Sequence, residues 1–230
     1  MTPLLDVRGL TFGYRKEEPV LRSVSLRLDA GERLGVAGGN GAGKTTLLWC
    51  LLGLLPAEGS VRLFGEPASR KAWNRLGVVF QNPEDQLFMP SILDDAVLPL
   101  LNRGLAPAEA RRQAMKALEA MGLEHAAERP AAELSLGQRK RAALAAALAP
   151  SPELLLLDEP TAELDRPSAR RLAELLCSAH TACLVTSHDL DFLGRTVHRL
   201  AVLAEGRLLT CGPVSEVLAN RSLLEGAGVL

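Results

Sequence analysis

The sequence predicts an α/β fold with a parallel-sheet core, an N-terminal antiparallel β segment and an inserted helical segment. Four short apolar runs without alternation are typical of parallel strands buried on both faces; they are LGVA at 34–37, LGVVF at 76–80, LLLL at 154–157 and CLVT at 183–186. By contrast, VSLRL at 24–28 alternates apolar and polar residues, as a half-buried antiparallel strand does.

The helical pattern between the second and third apolar runs predicts a subdomain over about 82–150. One helical stretch has Pro107 early in it and is ended by Gly122, because the residues between them recur at helical spacing, namely Ala110, Ala114, Leu118 and Met121. No internal repeat is visible, so we expect one domain over residues 1–230, with the helical subdomain inserted in the α/β core.

Composition and charge narrow the class of protein. The 26 Lys+Arg nearly balance the 27 Asp+Glu, which argues against a nucleic-acid partner. The apolar runs at 47–57 and 142–150 are shorter than the roughly 20 residues that span a bilayer. We therefore expect no transmembrane segment, and the absence of a secretory signal pattern at the N-terminus predicts a cytosolic chain.

The cysteines follow no metal-ligand or disulfide spacing. We therefore expect all four to be small hydrophobic residues of the core, namely Cys50, Cys177, Cys183 and Cys211.

The residues after the first apolar run, GGNGAGKTT at 38–46, match the phosphate-binding pattern G-x-x-x-x-G-K-[ST]. Glycines let successive backbone N–H groups turn toward a polyphosphate at a helix N-terminus. Lys44 would reach the β and γ phosphates, and the Thr45 hydroxyl would bind Mg²⁺. The alternative is a glycine-rich turn that only connects a strand to a helix. The candidate ATP-binding residues here are Gly38, Gly39, Asn40, Gly41, Ala42, Gly43, Lys44, Thr45 and Thr46.

Asp158 and Glu159 follow the four leucines of the third apolar run and so lie at the carboxyl edge of a buried strand. Asp158 could hold Mg²⁺, while Glu159 could accept a proton from the water that attacks the γ phosphate. Taken alone, the pair could also simply end a strand and cap the next helix.

With ELSLGQRKRAALAAALA before this pair and TSHD after it, the sequence resembles the ATP-binding-cassette (ABC) family over essentially its whole length. That resemblance implies a P-loop NTPase (RecA-like) core. The family's motifs occur in order: Tyr14 in the adenine loop, 38–46 as Walker A, Gln81 as the Q-loop, LSLGQ as the signature, LLLLDEP as Walker B, AELD with Asp165 as the D-loop, and His188 as the switch histidine.

The resemblance assigns further roles. Tyr14 would stack on adenine, although a turn tyrosine packed on the β segment is the alternative. Gln81 would ligate Mg²⁺ and sense the γ phosphate, unless it is a plain strand-end amide. His188 would bridge the γ phosphate and Glu159, unless it is only a helix N-terminal histidine. The catalytic candidates are therefore Glu159, His188, Lys44 and Gln81, and those for the metal are Thr45, Gln81 and Asp158.

The signature predicts a second anion site, because Ser135 begins a helix that runs to about Ala149. In the family this site, here Ser135, Gly137 and Gln138, closes on the ATP of a second ATPase subunit packed head to tail. The resemblance thus implies a homodimer or a heterodimer with a related chain, with Asp165 at the seam.

Two positions depart from the family pattern. Leu136 stands where the signature usually has a second glycine, but we expect function to survive because Ser135 and Gly137 remain. Glu163 stands where the D-loop often has a small residue, which would place an extra acid at the dimer seam.

The stretch VVFQNPEDQLF at 78–88 looks most like the ATPase subunits of energy-coupling-factor importers for cobalt, nickel or vitamins such as biotin. That likeness implies a transmembrane coupling subunit, a solute-binding membrane subunit and a position on the cytoplasmic face of the membrane. Glu84, Asp85, Leu87 and Phe88 could bind a basic helix of the membrane partner, or form a merely solvated loop. A soluble ATPase of iron-sulfur cluster assembly and a nucleotide-gated regulatory dimer are the alternative functions.

Overall fold

The computed structural model describes residues 2–15, 17–179 and 181–230 and contains two sheets with helices around them. The ten strands are β1 Leu5–Phe12, β2 Leu21–Leu28, β3 Arg33–Ala37, β4 Glu58–Leu63, β5 Glu66–Pro67, β6 Leu76–Val79, β7 Leu154–Asp158, β8 Ala182–Ser187, β9 Arg199–Ala204 and β10 Arg207–Pro213. The α-helices are α1 Lys44–Leu51, α2 Ile92–Asn102, α3 Pro107–Ala120, α4 Leu136–Leu148, α5 Arg166–Ser178, α6 Leu190–Thr196, α7 Val214–Ala219 and α8 Arg221–Gly226.

The smaller sheet is antiparallel, as its N-terminal sequence predicts. Its four strands lie in the order β2-β1-β4-β5, and β1 pairs with β2 and β4. Along β2 every outward residue is exposed and the leucines at its two ends are buried, because the sheet has one solvated face. The inner face packs with α1 and with one face of the larger sheet in a single hydrophobic cluster.

The larger sheet contains five parallel strands and one antiparallel edge strand, in the order β10-β9-β3-β8-β7-β6. The four predicted apolar strands are all present, and β7 and β8 are buried at every position. The fifth parallel strand, β9, was not predicted, although LAVLA at 200–204 is also a short apolar run. The α/β fold class is confirmed.

The helical segment between β6 and β7 contains α2, α3 and α4. The predicted helix over 107–122 corresponds to α3 and a closing turn at Gly122, where φ is +66°. The three helices share one cluster of buried side chains with the other face of the larger sheet, including Val79 of β6 and Leu157 of β7. This packing fixes α4 directly against the strands that carry the candidate site.

The cysteine prediction is half wrong. Cys50 and Cys183 are buried, and burial raises their pKa to about 11 and about 12. Cys177 and Cys211 are exposed, because Cys177 lies in the last turn of α5 and Cys211 on the half-exposed edge strand β10, beside the Arg199 guanidinium. Among the described residues, no helix has the length and apolarity that crossing a bilayer requires.

Candidate functional site

Three neighbouring parallel strands bring the predicted motifs to one edge of the larger sheet. Strand β8 lies between β3 and β7, with Ala37 opposite Ser187 and Asp158 opposite Thr186. The carboxyl ends of parallel strands share an edge, where ligands bind in open α/β sheets. The segments after β3, β7 and β8 therefore meet there, although more than a hundred residues separate the first from the second.

The loop after β3 has the backbone of a phosphate cradle. Gly43 precedes α1 with φ at +103°, a left-handed conformation that favours glycine. Gly38 is needed for space, since a Cβ there would lie 2.5 Å from the Leu203 carbonyl oxygen. The loop lines a cavity together with Gln81, Glu159 and His188. The helix N-terminus behind it favours negative charge.

Lys44 is folded back over this loop and is 7% exposed. Its Nζ donates to the carbonyl oxygens of Gly38 at 2.8 Å and Gly39 at 3.2 Å. The same ammonium lies 3.0 Å from Oε1 of Glu159. A buried charge requires such partners, and all of them lie where a polyphosphate would supply anionic oxygens instead.

Glu159 is the residue on which this edge converges. It has φ at +43° and its side chain is buried. While Lys44 contacts one carboxylate oxygen, the other lies 2.9 Å from Nδ1 of His188 and 3.3 Å from the His188 backbone N–H. A non-glycine residue in the left-handed region is held by its surroundings and is frequent at active sites. The His188 side chain is 58% exposed, so its ring can face a ligand while it contacts Glu159.

Asp158 is buried beside Glu159 and is held by a residue that the sequence analysis did not select. Thr186 Oγ1 donates to its Oδ1 at 2.6 Å, and the Glu159 N–H donates to the Thr186 carbonyl at 3.0 Å. Burial raises the Asp158 pKa, while hydrogen bonds from the Thr186 and Thr45 hydroxyls oppose that rise. The position of Thr186 in TSHD, on a strand that ends at the site, was the signal available in the sequence.

The three residues predicted for Mg²⁺ are close together. Thr45, Gln81 and Asp158 line one cavity. Hydroxyl, amide and carboxylate oxygens suit a hard divalent cation. The donor set therefore fits Mg²⁺.

Tyr14 lies near the first turn of α1, with its hydroxyl 3.4 Å from Oγ1 of Thr46. Its ring meets that of Phe12 edge-on, with 5.1 Å between the ring centroids, which matches the alternative that Tyr14 packs on the β segment. The residue is nevertheless 60% exposed, so a ligand can reach it.

The signature residues Ser135 and Gly137 lie outside the cavity around Lys44. Ser135 caps α4, accepting from the Gln138 N–H at 3.3 Å while Gln138 Oε1 accepts from the Ser135 N–H at 2.9 Å. Among the described residues, neither Ser135 nor Gly137 lines the cavity around Lys44. Asp165 caps α5, and hydrogen bonding from Ser168 holds its pKa below the usual range. Among the described residues, Ser135 and Gly137 thus stay outside the cavity around Lys44, although Leu136 between them borders the groove that Thr45 also lines.

The segment after Gln81 corrects one expectation. Leu87 is 7% exposed and packs in the core, because the turn at 83–85 rotates its side chain inward, whereas Phe88 is 70% exposed. The buried Asp95 carboxylate holds this segment by accepting from the N–H groups of Phe88 and Met89, each at 3.1 Å. Phe88 is therefore available for docking, and Leu87 is not.

The two departures from the family pattern both border a groove. Leu136 and Glu163 line it together with Asp85, Trp49 and Leu54. Glu163 is exposed with φ at +61°, so its carboxylate lies on the groove side of the loop 159–165, near α4 of its own chain.

Comparisons with known proteins show the family of the chain. The profile of the ABC transporter family matches residues 21–162. The nickel import ATP-binding protein NikO of Rhodobacter capsulatus is 39% identical, with 100% of this chain and 97% of that protein covered. The energy-coupling factor transporter ATP-binding protein EcfA of Methanosphaera stadtmanae is 33% identical, with 99% and 85% covered. Several other relatives are named only as ABC transporter ATP-binding proteins.

Among solved structures, cbiO1 from Clostridium perfringens, described as part of the ABC transporter complex cbiONQ, superposes with a TM-score of 0.83. It is 31% identical, and the match covers 98% of this chain and 94% of that one.

Proposed function

The chain belongs to the ATP-binding ATPase subunits of ABC transporters, and on that premise we propose that it drives a membrane importer of the energy-coupling-factor type for nickel, cobalt or a vitamin. The observation that most supports ATPase activity is the position of Glu159, whose carboxylate contacts Lys44 and His188 at the edge of the larger sheet. The import role rests on VVFQNPEDQLF and on the relatives named for nickel import and energy coupling.

Phosphate binding follows from the loop geometry. The β and γ phosphates of ATP replace the carbonyl and carboxylate partners of Lys44, because a polyphosphate offers more charge in the same place. The backbone N–H groups of 38–46 and the N-terminus of α1 complete the cradle. Tyr14 offers its exposed face to adenine.

Water activation follows from the position of Glu159. Once Lys44 turns to the phosphates, the carboxylate is free to accept the proton of the attacking water, while His188 stays within reach of both Glu159 and the γ phosphate. Thr45, Gln81 and Asp158 would hold Mg²⁺, which would supply positive charge to offset the negative charge of the phosphates. These residues act by positioning and electrostatics, as is usual for phosphoryl transfer.

Completion of the site requires a second ATPase subunit. Because Ser135 and Gly137 lie away from their own phosphate loop, we infer that they close on the ATP of a partner chain, in a two-fold arrangement with two equivalent composite sites. The membrane subunits would dock at the exposed Phe88 and at Asp85, where an apolar side chain and an acid can receive a basic helix. On this proposal the chain acts at the cytoplasmic face of the membrane.

The experiment is uptake by cells or vesicles that contain the chain with its co-purified membrane subunits. Labelled nickel, cobalt and biotin are offered separately, with Glu159→Gln as the matched variant that binds ATP without turnover. We expect uptake of one solute, lost in the variant. The importer proposal would be contradicted if the complex hydrolysed ATP but took up none of the three solutes in a Glu159-dependent way. Negligible ATPase activity would favour the regulatory-dimer alternative.

A further inference from the structure

Lys140 is a buried cation that the proposed chemistry does not use. It lies in the second turn of α4, the helix that Ser135 caps, and is 8% exposed among buried alanines. An ammonium group in such surroundings is costly unless it is hydrogen-bonded. Its position in RKRAALAAALA gives little hint, because flanking arginines make it look like part of a solvated charged turn.

The hydrogen bonds of Lys140 all lead to the loop 159–165. Its Nζ donates to the Ala162 carbonyl and lies 3.5 Å from the carbonyl of Glu159. The Ala162 N–H donates to that same Glu159 carbonyl at 3.1 Å. Lys140 therefore holds the backbone of the residue whose left-handed conformation aims its carboxylate at Lys44 and His188.

Electrostatics and packing around Lys140 agree with this link. Burial lowers its pKa, and the carboxylates of Glu163 and Glu159 oppose that lowering. Behind it lies an apolar cavity of about 140 Å³, lined by Leu144, Leu164 and Leu172 among others, so side-chain packing between α4 and α5 is incomplete. Lys140 itself lines this cavity, and its ammonium binds the loop 159–165 at the cavity's edge.

We propose that Lys140 is a positioning residue that couples the signature helix α4 to Glu159 through the loop 159–165. This inference rests on the proposed function, in which each chain contributes to two ATP sites: its α4 closes on the ATP bound by the partner, and its Glu159 acts on the ATP that the chain itself binds. A movement of α4 at the partner's ATP is then transmitted through Lys140 to Glu159 at the chain's own ATP. The extra acid Glu163 has an intrachain role here, since it offsets the charge of Lys140.

The test is Lys140→Met in the purified transporter complex, with Arg141→Met as the matched control. Arg141 is the next cation on α4, and it donates at 2.6 Å to the Met121 carbonyl of the helical segment instead of to a carbonyl of the loop. Steady-state ATPase gives kcat, KM and the Hill coefficient, and thermal unfolding reports stability. Lys140→Arg keeps the charge and a side chain of similar length. If Lys140→Met does not fold, Lys140→Gln replaces it, since the glutamine amide is a neutral hydrogen-bond donor.

We expect Lys140→Met to lower kcat by about tenfold to a hundredfold, as small misplacements of catalytic groups do. The Hill coefficient should fall toward 1 while KM changes by less than about twofold, and Lys140→Arg should recover most of kcat. The Arg141→Met control should keep the kcat and the Hill coefficient of the unmodified chain.

Three results would overturn the proposal: an unmodified complex without cooperativity, unchanged kinetics in Lys140→Met and Lys140→Gln, or equal losses in the Arg141→Met control. Failure of the proposed function is seen separately, as continued turnover in Glu159→Gln, which retains Lys140.

Discussion

Nζ of Lys44 lies 3.0 Å from Oε1 of Glu159, so the group proposed to bind phosphate and the group proposed to accept a proton neutralise each other. Both side chains are nearly fully buried. On the proposed mechanism, binding of ATP exchanges this ion pair for contacts between Lys44 and phosphate, and the same exchange frees the carboxylate. The proposal thus makes substrate binding and activation of the base one event.

The first prediction follows from that exchange. Glu159→Gln should bind ATP at least as tightly as the unmodified chain, because the amide competes less for Lys44. Turnover should fall by about 10²–10⁴, the usual contribution of a general base, and a closed dimer should accumulate with ATP. Nucleotide titration, phosphate release and size-exclusion chromatography measure the three effects. Near-normal turnover would reject Glu159 as the base.

The second prediction concerns the exposed ring of Tyr14. Tyr14→Ala should raise KM for ATP by about tenfold with little change in kcat, since stacking on a base contributes about 1–3 kcal/mol to binding alone. Tyr14→Phe is the control, because it keeps the ring and the edge-on contact with Phe12 but removes the hydroxyl near Thr46. An unchanged KM in the alanine variant would mean that Tyr14 only packs on the β segment.

The third prediction tests the docking face. Asp85→Arg should leave the ATPase activity of the isolated chain unchanged but reduce recovery of the membrane subunits in pull-down, because it places a positive charge opposite the proposed basic helix. Glu119→Arg, at an exposed position on α3, makes the same charge change elsewhere. If Asp85→Arg also left assembly and uptake intact, the docking proposal would fail.

The fourth prediction concerns pH and stability at Asp95. Burial raises the pKa of this carboxyl above its value in the unfolded chain, so its contribution to stability is fully present below about pH 4 and is lost as pH rises through the raised pKa. Asp95→Asn keeps an acceptor for the Phe88 and Met89 N–H groups and cannot ionise. Its melting temperature, relative to the unmodified chain, should therefore increase between acid and neutral pH.

Two comparisons make this measurement decisive. Asp95→Ala removes the acceptor and should lose about 1–3 kcal/mol of stability at either pH, and Glu119→Gln should follow the unmodified chain throughout. If the difference in melting temperature between Asp95→Asn and the unmodified chain were the same at acid and at neutral pH, the raised pKa of Asp95 would be refuted.

Much of the fold and of the site was predictable because strong local patterns carry it. The uninterrupted apolar runs marked buried parallel strands, and the glycine spacing at 38–46 marked the phosphate loop. The predictions that were wrong concerned the exposure of single side chains, which depends on tertiary structure. The short turn at 83–85 directs Leu87 inward, and Cys177 and Cys211 lie on exposed faces. Likewise, the roles of Asp95 and Lys140 became visible only from their hydrogen bonds, and that of Thr186 from its contact with Asp158, although its place in TSHD was a signal.

The strand order of the larger sheet affects how the chain folds during its synthesis. Strand β3, which leads into the phosphate loop, lies between β8 and β9 in the larger sheet and pairs with both. During synthesis the loop at 38–46 emerges early, but its strand has no neighbour until residues 182–204 have followed. Contacts that span so much of the chain fold slowly, so the growing polypeptide carries an unformed nucleotide site until its last quarter arrives, and ATP stabilises only the finished chain.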